Sequence, residues 1–160
     1  MDSDKQEKRR SIYEIVRRDK LAWSRKEAAL KLKCIDERRL EYLEKNPSAV
    51  QPEDVLLMAE VYEEPSLCNH YCAIECAIGR DSVPYVGQPD QSQLPIIVLR
   101  MIASLNSVSS MKDRLIEIAA DGAVTDDELE DFKSIQGNLD EITSIVKSLE
   151  LWAEKAIKKE

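Results

Sequence analysis

The chain has 160 residues, of which 43% are apolar and 34% charged, the size of one domain or of a small domain with an appendage. Four glycines and a single Phe are too few for the tight turns and aromatic strand faces of an all-β sandwich. No apolar run approaches the ~20 residues that span a bilayer, and the charged start MDSDKQEKRR is not followed by the apolar stretch of a secretion signal. The expectation is an all-α cytoplasmic protein with no membrane partner. Its net charge of −8 conceals a split. Residues 1–50 hold 14 Lys and Arg against 10 Asp and Glu, and residues 51–160 hold 9 against 21. A basic first half points to a polyanionic partner there and a different task for the acidic remainder.

Residues 1–10 read as a basic arm carrying Lys5, Lys8, Arg9 and Arg10. Residues 11–80 read as short helices in quick succession. Ile12, Ile15 and Val16 share one face of a first helix of about ten residues, which Leu21–Trp23 breaks. Ser24-Arg-Lys-Glu27 is a capping box: the serine oxygen accepts from a free backbone N–H while the glutamate reaches back. It opens a second helix to Lys33, in which Ala28 and Ala29 allow close crossing by another helix. Cys34-Ile35-Asp36 forms a turn, Asp36 caps a third helix from Glu37 to Asn46, and Pro47 ends it. Pro52 stands in the first turn of a fourth helix running to Tyr62.

A fifth helix is expected over Ser66–Ile78, with Cys68, Cys72 and Cys76 along one face. Three readings of these thiols stand together: buried small side chains in a helix seam, a zinc or iron–sulfur site with Cys34 as a further ligand, and a reversible disulfide. Zinc spacings favour Cys-x-x-Cys on turns, so no metal is assigned.

Residues 81–95, with Pro84, Gly87, Pro89 and Pro95, have a linker composition. Residues 96–160 then read as an antiparallel helical hairpin. Leu94, Val98, Met101, Leu105, Val108 and Leu115 form one heptad-like stripe, and Leu129, Phe132, Leu139, Ile142, Val146, Leu149 and Ala156 the other. Asp121–Gly122 supplies the turn and Thr125-Asp-Asp-Glu128 a second capping box. Ile96, Ile97, Ile102, Ile116, Ile118, Ile135, Ile145, Trp152 and Ile157 fall off these stripes, which leaves spare apolar surface for a homodimer or for packing back on the N-terminal domain. The acids near the turn lack the alternating ligands of a calcium loop.

The run Ser24-Arg-Lys-Glu-Ala-Ala, then Arg39-Leu-Glu-Tyr-Leu-Glu-Lys-Asn46, then Gln51-Pro-Glu-Asp-Val-Leu-Leu-Met-Ala-Glu-Val-Tyr62 resembles the phage-repressor or Cro-type helix-turn-helix module, the xenobiotic-response-element family. The resemblance covers residues 12–62. Two departures stand out: Lys33-Cys34 occupies the turn where the family usually has Gly, and Asn46 is not followed by Gly. The resemblance implies a lambda-repressor-like helix-turn-helix bundle ahead of the hairpin. It also implies a third helix whose front enters the major groove and a second helix whose start meets the phosphate backbone.

On that basis the DNA-binding residues are Arg25 and Lys26 at phosphates, and Arg38 and Arg39 at guanine edges. Glu37 suits a cytosine amino group, Tyr42 a thymine methyl or phosphate, and Lys45 the backbone. The function expected is a sequence-specific transcriptional regulator acting on double-stranded DNA, as a homodimer through its C-terminal helices. The alternative is a protein-interaction adaptor or antirepressor with a degenerate helix-turn-helix. One His, no Gly-rich phosphate loop and no nucleophile with a base leave no catalytic constellation and no cofactor.

Overall fold

A computed structural model of the chain describes residues 10–88, 93–120, 122 and 124–157. The basic arm other than Arg10 lies outside them, as do Pro89 and Asp121. The protein is all-α, with no strand among the described residues. It divides into two compact units, Met1–Asp81 and Ser82–Glu160.

In the first unit, α1 (Ile12–Ile15) is capped by Ser11 and continues as a π-helical turn over Val16–Lys20. Leu21–Trp23 breaks it as expected, with Ala22 at φ 55°. Ser24 caps α2 (Arg25–Leu32), and both arms of the capping box with Glu27 are formed. The turn to α3 passes through Lys33 at φ 59°. A side chain at positive φ costs on the order of 1–3 kcal/mol, the strain that a glycine at this turn would relieve. Asp36 caps α3 (Glu37–Lys45), a short turn at Pro47–Ala49 follows, and Pro52 opens α4 (Pro52–Val61). The core draws on all four of these helices, with Tyr13, Val16, Leu32, Leu40 and Met58 among its residues.

Four charged residues are buried in this unit, Arg17, Glu44, Asp54 and Glu64, and the first two pair with each other. Arg17 follows Tyr13 and Val16 at helical spacing, and Glu44 follows Leu40 and Leu43, so both face inward. Their side chains are 5% and 0% exposed, and they form a two-pronged pair in which Arg17 Nη2 donates to Glu44 Oε2 at 3.0 Å. Arg17 Nη1 also donates to the Trp23 carbonyl at 2.6 Å. The pair therefore ties α3 to α1 and to the loop that enters α2.

The fifth helix departs from the expectation. α5 (Ser66–His70) rewinds as a π turn over Tyr71–Glu75, and Cys76 is extended at ψ 123°. The three cysteines thus do not share one straight helix face. The Gly79 N–H donates to Cys76 Sγ at 3.4 Å, and a Cβ at Gly79 would lie 2.1 Å from the Cys72 carbonyl oxygen. Glycine permits that close return of the chain, which leads into α6 (Gly79–Ser82). The four cysteines form no disulfide, and no cluster able to hold a metal occurs among the described residues. Beside them the buried Tyr13 hydroxyl donates to Glu75 Oε2 at 3.1 Å, and the Tyr13 ring meets His70 edge-on.

In the second unit, residues 83–88 are irregular and lead toward a long antiparallel pair, α7 (Leu94–Ala119) and α8 (Leu129–Ile157). Gly122 turns at φ 75°, and the Glu128 carboxylate accepts from both the Thr125 N–H and its hydroxyl. The seam keeps Met101, Val108, Leu115 and Ile142 of the expected stripes and corrects their other members by one residue. Ile97, Ser104 and Ile118 of α7 are buried, as are Ile135 and Ile145 of α8, whereas Val98, Leu105, Leu139 and Val146 are exposed. Polar seam positions hid this register: Ser104 is buried, and the Ser107 hydroxyl bonds Asn138 Oδ1 at 3.1 Å. A polar layer in an apolar seam costs stability but specifies register. The sequence shows no long apolar run, yet α7 as a continuous helix is long and apolar enough to cross a membrane, judged by length and composition alone.

Removing one partner of a buried ion pair leaves the other charge uncompensated, at about 3–5 kcal/mol. Arg17→Ala should therefore lower unfolding stability by about that amount in urea titrations, and the double variant Arg17→Met, Glu44→Leu should recover much of the loss.

A second prediction concerns alkaline pH. Burial first, and then the Glu75 carboxylate, push the Tyr13 hydroxyl far above its ordinary 10.0; burial first, and then Glu44, do the same to Tyr62. Both stay protonated in the folded chain while their unfolded counterparts ionise near pH 10, so their contribution is complete below that pH and is lost as pH rises beyond it. Phenolate absorbance should show that two tyrosines ionise only on unfolding, with urea midpoints flat to about pH 9 and falling above about pH 10.

Candidate nucleic-acid interface

Helix α3 presents two unlike faces. Leu40, Leu43 and Glu44 point into the unit and are buried. Arg38, Tyr42 and Lys45, at i, i+4 and i+7, form one line on the opposite, exposed side. Tyr42 is 57% exposed, although its apolar ring would ordinarily favour a half-buried position. Arg38 makes no ion pair among the described residues, which leaves its five-donor fork available. Lys45 bridges Glu41 one turn back.

Arg39 behaves differently from its neighbour. Its Nη2 donates to both oxygens of Asp54, at 2.8 and 2.9 Å, while its side chain remains 52% exposed. Asp54 also accepts from the Gln51 N–H at the start of α4. The pair of arginines expected at base edges is thus split: Arg38 faces outward, and Arg39 braces α3 against α4.

At the start of α2 the two expected phosphate contacts are split as well. Lys26 is exposed and unpaired among the described residues. Arg25 instead turns inward: its Nε donates to Glu44 Oε2 at 2.8 Å, and its guanidinium lies 3.9 Å from Glu14 and 3.9 Å from Glu41. The hydrogen bond to Glu44 is the main reason that its proton is held even more firmly than usual. Glu37 is exposed at the mouth of an open recess of about 510 Å³, lined also by Arg17, Arg18, Trp23, Ser24 and Arg25.

Residues 24–45 carry seven cations against five carboxylates, a net of +2. Exposed Lys33, and Lys31 stacked 4.6 Å over the Trp23 ring, add positive charge beside the turn. Sequence reasoning missed the pair that holds this surface, Arg17 and Glu44. The available signal was a charged residue on an otherwise apolar helical face, once in α1 and once in α3. No protein-family model, curated protein or solved structure matches the chain, so its function is read from these side chains.

Proposed function

We propose that the first unit binds double-stranded DNA sequence-specifically through the outer face of α3, and that the chain is a transcriptional regulator acting as a dimer. The carrying observation is the exposed line of Arg38, Tyr42 and Lys45 on a helix whose inner face is fastened by a buried ion pair. A guanidinium presented this way suits bidentate bonding to guanine O6 and N7, and a phenol beside it suits a thymine methyl or a phosphate. Lys26 at the start of α2 suits a backbone phosphate. Arg25 and Arg39 serve this reading as braces that orient the two helices rather than as contacts. A single module covers too little DNA for tight binding, so two copies reading half-sites about one helical turn apart are the expected form.

One observation favours a second reading, a protein-interaction adaptor or antirepressor that does not bind DNA. Arg25, Arg39 and Lys45 already satisfy carboxylates of the same chain, and Leu30 and Leu56 add exposed apolar surface. Salt separates the two, because phosphate contacts release counterions and weaken steeply with ionic strength, whereas apolar contacts hardly respond.

The test is selection of bound duplexes from a random pool, followed by anisotropy titration of the winner across salt. The DNA reading predicts an enriched motif and a log–log salt slope of several. Arg38→Ala should lose about 1–3 kcal/mol of discrimination at one base pair, with helical content unchanged. Binding without enrichment, or no binding at low salt, would leave the adaptor reading.

A further inference from the structure

The helical hairpin carries an apolar face that it does not cover itself. Seam positions on α7 follow a heptad through Ile97, Met101, Ser104, Val108, Leu115 and Ile118, and on α8 through Ile135, Asn138, Ile142 and Ile145. Each helix bears a second apolar stripe displaced by one residue toward its C-terminus. On α7 this stripe is Val98, Ile102, Leu105 and Ile116; on α8 it is Phe132, Leu139 and Val146. Exposure is 53% at Leu105 and 60% at Ile116.

One residue turns about 100° around a helix. In antiparallel helices the same sense of displacement brings both stripes to one side of the hairpin, so they form a continuous face. Such a helix, with one stripe for each of two neighbours, is the unit of a four-helix bundle.

Charge says which occupant fits. Residues 113–131, around the hairpin tip, hold eight carboxylates against Arg114 alone. The open end, residues 94–106 with 144–157, holds three cations against two carboxylates. A second copy laid tip to open end brings opposite charges together, whereas a tip-to-tip copy stacks the acids. The Ser107–Asn138 hydrogen bond sets Leu105 and Leu139 at one level. Phe132 and Val146 lie seven residues either side of Leu139, about 10 Å each way.

We infer that two copies pair through this face, about a two-fold axis that lies in the interface and crosses the helices at Leu105 and Leu139. Each α7 then runs antiparallel to its counterpart, as does each α8, and Phe132 of one copy meets Val146 of the other. A recess of about 260 Å³ lined by Pro84, Ile142, Val146 and Glu150 offers room for the incoming ring. The contact is isologous, so it closes at a dimer. A bilayer is the weaker occupant: α7 is packed on α8, and burying the pair would take Asp140, Glu141 and Lys147 with it. This inference rests on the self-association part of the proposed function and not on the DNA part.

The test uses the full chain. Light scattering during size exclusion should give a dimer, and Leu105→Asp with Leu139→Asp should give a monomer of unchanged helical circular dichroism. A mixture of ¹⁴N and ¹⁵N chains treated with a zero-length carbodiimide should yield intermolecular links from Asp126, Asp127 or Glu130 to Lys147 or Lys155. A monomeric wild-type chain would overturn this pairing and the proposed dimer together. A dimer whose tip acids link instead to Lys112 or Lys133, or one that survives both substitutions while folded, would overturn this pairing alone. Should the double variant unfold, the wild-type cross-links decide. Co-sedimentation of the wild-type chain with mixed zwitterionic and anionic phospholipid vesicles, with loss of the dimer, would assign the face to a membrane and overturn the pairing.

Discussion

The first unit depends on a carboxylate with no access to water. Glu44 sits on the inner face of α3, where its desolvation is costly unless cations and hydrogen bonds offset it. Arg17 from the π turn that continues α1 and Arg25 from α2 supply both, and the remaining arm of Arg17 engages the Trp23 carbonyl. Three helices and the loop between two of them are thereby fixed to one point. A purely apolar contact at this place would tolerate rotation of α3, whereas directional bonds to both oxygens do not. The orientation of Arg38, Tyr42 and Lys45 on the far side follows from that restraint.

The same chemistry limits the surface. Several cations near α3 are neutralised by their own chain, which leaves Lys26 and Arg38 as the exposed cations without ion pairs, among the described residues, at the two helix starts. A net of +2 over residues 24–45 is modest for a polyanion partner. The proposed DNA contact therefore relies on the placement of a few side chains rather than on a broad basic field. The acidic hairpin, with its opposite ends unlike in charge, suits association between copies rather than contact with phosphate.

Much of the fold was legible because local signals and burial agreed. The Ser24 capping box, the Asp36 cap and the proline at the start of α4 each placed a helix end within a residue or two, since each satisfies backbone groups that the helix leaves open. The need for an unusual turn residue between α2 and α3 was also legible, and Lys33 occupies it at positive φ. The hairpin register was not. Ser104, Ser107 and Asn138 occupy seam positions while Leu105, Leu139 and Val146 stand outside, so a stripe drawn through apolar residues alone crosses from the seam to the face beside it. The π turns at Val16–Lys20 and Tyr71–Glu75 carry no periodic mark in so short a span, which is why the cysteines were expected on one straight face. Of the candidate site, the outward residues of α3 were readable from the capped helix. The inward turn of Arg25 and the bracing of Arg39 were not, because both depend on carboxylates far along the chain, Glu44 and Asp54.

The most direct measurement is an amide NMR titration of ¹⁵N-labelled protein with random-sequence duplex DNA at low salt. The account predicts shifts concentrated at the start of α2, Ser24–Lys26, and along the outer face of α3 from Arg38 to Lys45, all reversed by added salt. A spectrum that stays unchanged, or whose changes fall on the hairpin instead, would contradict it.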